Sequence, residues 1–148
     1  MADASASPDF NASTSPRATR APQTVVLVGH CTPDSGMLRS AVGRIAPNAQ
    51  FVSVQREAAL AEHLRGDRLW LVNRALDGDF SAEVGQAIIA RAAQAADPPV
   101  LMLVSNIAEA QQEAVALGAM PGFGKSALYA PETAAALRAA LDRAASKV

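Results

Sequence analysis

The sequence is poor in the features that announce a chemistry. Cys31 is the only cysteine among 148 residues. An intrachain disulfide and a multi-cysteine zinc site are therefore excluded, and a reducing, cytoplasmic location is expected. Thirteen basic residues stand against fourteen acidic ones, with no block of like charge, so the chain carries no electrostatic footprint for nucleic acid or an anionic membrane. Long apolar runs are missing too. The longest, Val100 to Val104, is far too short to span a bilayer, and the N-terminus lacks the apolar core of a secretory signal. What is present is apolar residues in quantity, 50% of the chain, enough for one domain with a core of its own and too few residues for two.

Residues 1–23 are mostly Ala, Ser, Thr and Pro, with Met1 and Phe10 as the only large apolar side chains. Such a segment cannot bury enough surface to offset its ordering entropy, and it is expected to be a disordered tail. From Thr24 to the end a different pattern holds. Thr24 to Val28 is a β-branched, apolar strand, and Leu38, Ala41, Val42 and Ile45 recur at helical spacing before the turn at Ala46-Pro47-Asn48. Phe51 to Val54 reads as a second strand and Ala58 to Leu64, with Leu60 and Leu64 four apart, as a short second helix. Leu69 to Val72 is a continuous apolar run that suits a central strand buried on both faces, and Asn73 ends it.

Beyond the turn at Leu76 to Asp79, Ser81 is expected to cap a helix facing inward through Val84, Ile88, Ala92 and Ala95, stopped by Pro98-Pro99. Val100 to Val104 is a fourth strand. Asn106 and Glu109 read as a capping box opening a helix to Gly118, and Pro121 to Gly124 as a weak fifth strand. Pro131 and Glu132 open a last helix with Leu137, Leu141 and Ala144 inward. Five strands alternating with five helices imply an α/β fold: a five-stranded parallel sheet, doubly wound, with helices on both faces and right-handed crossovers.

Ligands of such sheets bind beyond the carboxyl ends of the strands. The residues there are Gly29 and His30 after the first strand, Asn73 after the third, Ser105 after the fourth and Lys125 after the fifth. Asn73 is the pivotal one, because an amide exchanges hydrogen bonds whereas a carboxylate can act as nucleophile or hold a metal.

With Leu27-Val28-Gly29-His30, Leu69-Trp70-Leu71-Val72-Asn73, the strand Val100 to Val104 with Ser105, Leu117-Gly118-Ala119 and Gly122-Phe123-Gly124-Lys125 in this order, the chain resembles the receiver domain of bacterial two-component response regulators, a flavodoxin-like fold. The resemblance covers Thr24 to about Ala145. It implies a phosphoacceptor aspartate after the third strand, an acidic pair after the first that helps hold magnesium, and a hydroxyl and a lysine that bind the phosphoryl group. Ser105 and Lys125 match the last two. Asn73 stands in the acceptor position and Gly29-His30 in that of the acidic pair, so the resemblance implies a degenerate receiver with no catalytic residue, metal or cofactor. Lys125 is followed by Ser126 rather than proline, and Phe123 falls one place from the aromatic position, at Gly122, which makes it a core residue.

The expected function is then a phosphorylation-independent interaction module whose partner is another signalling protein or a second copy of the chain, with no nucleic acid and no membrane. In the family, the helices matching Asn106 to Leu117 and Pro131 to Ala145 form the partner face. Two alternatives come with it. The crevice, positive through Lys125, is a candidate anion or metabolite site together with Ser105. Cys31, ahead of a helix, is a candidate phosphotransferase nucleophile, although seven residues separate it from Arg39 where a phosphatase loop has five. His30 is expected to be a partly exposed loop residue, His63 a surface residue, Trp70 a core anchor, and Asp77 and Asp79 turn residues.

Overall fold

A computed structural model describes residues 23–147; the expected tail lies almost wholly outside them. Nine elements follow in order: β1 (Thr24–Val28), α1 (Thr32–Ile45), β2 (Gln50–Val54), β3 (Arg68–Asn73), α2 (Gly85–Ala92), β4 (Val100–Val104), α3 (Ala108–Ala116), β5 (Met120–Phe123) and α4 (Pro131–Ala145). The strands form one sheet in the order β2-β1-β3-β4-β5, parallel throughout, with Val25 opposite both Phe51 and Leu69 and with Trp70 opposite Leu101.

Because successive strand side chains point to opposite faces, the apolar strands feed two cores. Val25, Leu27, Leu69, Leu71 and Met102 meet Leu38 and Val42 of α1 and Leu137 and Leu141 of α4. Val26, Val28, Trp70, Leu101 and Leu103 meet Ile88 and Ile89 of α2 and Ala114 of α3. Trp70 anchors the second core, with its indole nitrogen donating to the His63 carbonyl at 3.0 Å. Phe123 lies in the first core, as its strand parity requires.

The crossover between β2 and β3 departs from expectation. In place of a helix over Ala58 to Leu64 there are two 3-10 turns, Glu57–Ala59 and Ala61–His63. The buried pair is Leu60 and His63, three residues apart, while Leu64 is exposed. A three-residue burial spacing fits the 3-10 period, and so short a segment gains little from α-helix propagation. His63 is accordingly buried and not on the surface.

Two helix starts are also corrected. α2 begins at Gly85 behind an N-cap at Val84, because Ser81 is engaged elsewhere: its N–H and hydroxyl both donate to Glu57 at 2.8 Å. The helix ends at Ala92, ahead of Pro98-Pro99, and Val84 is exposed. α3 begins behind Ile107, and the Asn106 carbonyl oxygen accepts from the Ser126 N–H and hydroxyl instead of capping it. The last helix has Pro131 in its first turn and buries Leu137, Leu141 and Ala144 as expected.

Candidate functional site

The carboxyl ends of β3, β4 and β5 and the first turn of α1 surround a crevice of about 410 Å³ lined by Asp34, Asn73, Arg74, Ser105, Asn106 and Lys125, among others. Three of the residues expected at the strand ends, Asn73, Ser105 and Lys125, thus share one cavity. Gly29 and His30 contribute differently.

Gly29 takes a positive φ of 74°, and a Cβ there would press on Leu76 Cδ2 at 2.7 Å. An acidic side chain at this position would be strained. Its carbonyl oxygen accepts two hydrogen bonds at 2.9 Å, one from the Asp77 N–H and one from Asn73 Nδ2. His30 is not a loop residue in solvent but is 1% exposed, with Nε2 donating to the Leu71 carbonyl at 2.8 Å. Burial outweighs that bond and lowers its pKa to about 4, so the ring is neutral near pH 7. Gln55 closes the loop from outside, donating to the His30 carbonyl at 2.6 Å and to Asp77 at 3.0 Å. Asp77 and Asp79 belong to this turn, around Gly78 at φ 125°.

At the centre, Asn73 Nδ2 donates to Gly29 O and to Ala75 O, the latter at 2.7 Å. The amide nitrogen therefore sits where two carbonyl oxygens converge. Ser105 Oγ accepts from the Ile107 N–H at 3.0 Å, a local hydroxyl turn.

Lys125 is not the free cation of the crevice. Its ammonium donates to Asp34 of α1 at 2.5 Å, and that bond is the main reason the Asp34 pKa is lowered. Asp34 lies inside α1 and not directly after a strand, so the strand-end rule does not point to it. Its place in the first turn of α1, behind Pro33, is where a carboxylate favours the helix dipole. Cys31 is the N-cap residue of that helix, without a side-chain bond that caps it. Arg74, one place beyond the end of β3, is a second lining residue outside that rule. Its backbone is fixed by Val104 O and the Gly85 N–H, and it brings the crevice's positive charge.

A further feature links the site to the α3 side. Gln111 Nε2 donates to the carbonyls of Leu103, Ser105 and Phe123, and its oxygen accepts from the Gly122 N–H. The β4–β5 ladder shifts register there, and a Cβ on Gly122 would overlap the Leu103 carbonyl. Gly122 thus makes room for a side chain that repairs the ladder.

The residues do not fit a hard divalent cation. Such ions take several oxygen ligands, usually including a carboxylate. Here Asp34 is tied to Lys125, an amide nitrogen occupies the convergence point of two carbonyls, and no cluster of three His, Cys, Asp or Glu residues suits a metal among the described residues.

The fold is similar to that of solved response-regulator receiver domains. A putative response regulator from Chloroflexus aurantiacus matches with a TM-score of 0.60 at 16% identity, over 82% of this chain and 99% of that one. The BeF3-activated N-terminal receiver domain of RstA from Klebsiella pneumoniae matches at 0.58 and 19%, over 80% and 97%. A Burkholderia pseudomallei response regulator with a phosphorylated aspartic acid, calcium ion and citrate matches at 0.53 and 16%, over 84% and 69%. No protein-family model matches the sequence, and no curated protein matches it either. The likeness is one of fold. Among the described residues no helix is long and apolar enough to cross a membrane.

Proposed function

We propose that the chain is a receiver-like signalling domain that acts by binding another protein, without phosphoryl transfer and without a metal. One observation carries this reading: the crevice is liganded from within. Lys125 is held by Asp34, and the carbonyls of Gly29 and Ala75 are held by the Asn73 amide. The Burkholderia protein carries a phosphorylated aspartic acid, whereas the residue closing β3 here is an amide, which offers no carboxylate to phosphorylate.

A cysteine-based mechanism finds little support. α1 begins at Thr32 directly after Cys31, which leaves no loop to wrap a phosphate, and Arg39 donates to Ser53 Oγ at 3.1 Å instead of turning back. The partner face is supported by α3 and its flanks. Ile107 and Val115 are each 44% exposed and Leu117 39%, apolar surface on α3 and at its two ends that a partner would cover.

Capture experiments with the immobilised chain test the reading. A partner should be retained equally with EDTA and with magnesium plus a phosphodonor, and lost with Val115→Asp. Retention that depends on the phosphodonor contradicts it.

A further inference from the structure

The hydrogen-bond inventory of the crevice is lopsided at its mouth. Among the described residues, the Arg74 guanidinium makes no ion pair, although Arg74 is one of the residues that line the cavity. Asn106 uses its carbonyl oxygen on Ser126, which leaves the Nδ2 hydrogens unspent. Ser105 Oγ accepts from Ile107, which leaves its own hydrogen free. Against these three donors stand two side-chain acceptors without a recorded partner, the Asn73 oxygen and the second oxygen of Asp34. Lys125 adds little, since Asp34 already neutralises it.

We infer that the mouth of this crevice is a recognition site for a single carboxylate carried on a short apolar stem, with Arg74 as the charged partner and Ser105 and Asn106 as the flanking donors. Charge decides the ligand class. One carboxylate, Asp34, stands against two cations, Arg74 and Lys125, so the lining has one positive charge in excess and matches a monoanion, whereas a phosphate dianion would be left half compensated. Geometry agrees, because a guanidinium presents parallel N–H groups that fit a carboxylate edge. Val104 and Ile107 in the same lining supply apolar surface for the stem. The Arg74 backbone, fixed on both sides, lowers the cost of ordering the side chain. The inference goes beyond the interaction reading and stands whether or not a phosphoryl adduct can form. A free short-chain acid and a glutamate side chain of a partner share this chemistry.

The experiment is titration of the 15N-labelled chain, watched at the Asn106 side-chain amide and the Arg74 Nε–H. The probes are propionate, its neutral counterpart propionamide, N-acetylglutamate amide and inorganic phosphate. Propionate should produce saturable shifts and propionamide none. Arg74→Gln should weaken propionate about tenfold, the loss of one charge-assisted pair. Asp34→Asn releases Lys125, so it should tighten propionate and admit phosphate, which the wild type should not bind. Shifts with the capped glutamate as strong as those with propionate support a partner's side chain as the source; shifts with propionate alone support a free acid. Absence of saturation with both carboxylates, or an undiminished response in Arg74→Gln, overturns the inference.

Discussion

Asn73 turns its amide nitrogen onto Gly29 O and Ala75 O, an arrangement a carboxylate cannot reproduce, since its oxygens would face two carbonyl oxygens. Asn73→Asp should therefore destabilise the fold by about 1–3 kcal/mol near neutral pH. The deficit should shrink as pH falls and the new carboxyl regains a proton to donate. Urea unfolding of the variant against the wild type measures both effects.

His30 makes a second residue-level prediction. Its pKa falls from 6.5 to about 4 on folding, so between those values the unfolded chain binds the extra proton. Stability is full above pH 6.5 and declines as pH drops toward 4, by about 3 kcal/mol in all. His30→Phe should flatten this part of the stability curve. Glu57, lowered from 4.5 to about 2 chiefly by the Ser81 N–H with help from Arg91, loses its contribution as pH falls from 4.5 toward 2, mostly below the His30 window. The burial of His30 could not be read from the chain, because its acceptor, Leu71 O, lies 41 residues away. Asp34 was more legible, since its first-turn position is itself a signal.

At the scale of elements, the strands were the easiest to read. Val100 to Val104 is buried at every position, and such a run has no other use in a chain of this kind. Helix starts were harder. Ser81 and Asn106 are good caps by type, yet each is drawn into a tertiary contact, with Glu57 and with Ser126, that local sequence does not display. Glu57 further accepts from Arg91 of α2 at 2.6 Å, tying the 3-10 crossover to the next helix. The contact that best defines the α3 side is Gln111. Its replacement by Leu leaves the Gly122 N–H without its side-chain acceptor and should cost about 2 kcal/mol. Amide exchange at Gly122 and its neighbours in β5 should accelerate, while exchange in β1 and β3 should hold until global unfolding. Equal acceleration across the sheet would remove Gln111 from this role.

For the whole molecule, the fold class followed from alternating strands and helices, whereas the strand order did not, because the same alternation suits several doubly wound sheets. The order β2-β1-β3-β4-β5 brings Asn73, Ser105 and Lys125 to one crevice, where the Asn73 amide is spent on Gly29 and Ala75 and the Lys125 ammonium on Asp34. The thermal unfolding midpoint should accordingly be the same in EDTA and in millimolar magnesium, since a ligand that binds only the folded state would raise it. The most direct measurement is the intact mass of the full chain after incubation with magnesium and a small-molecule phosphodonor, with Cys31→Ala alongside. An unmodified wild-type mass is the result this account predicts. A phosphoryl adduct on the wild type would contradict it, and its loss in Cys31→Ala would assign the chemistry to the cysteine.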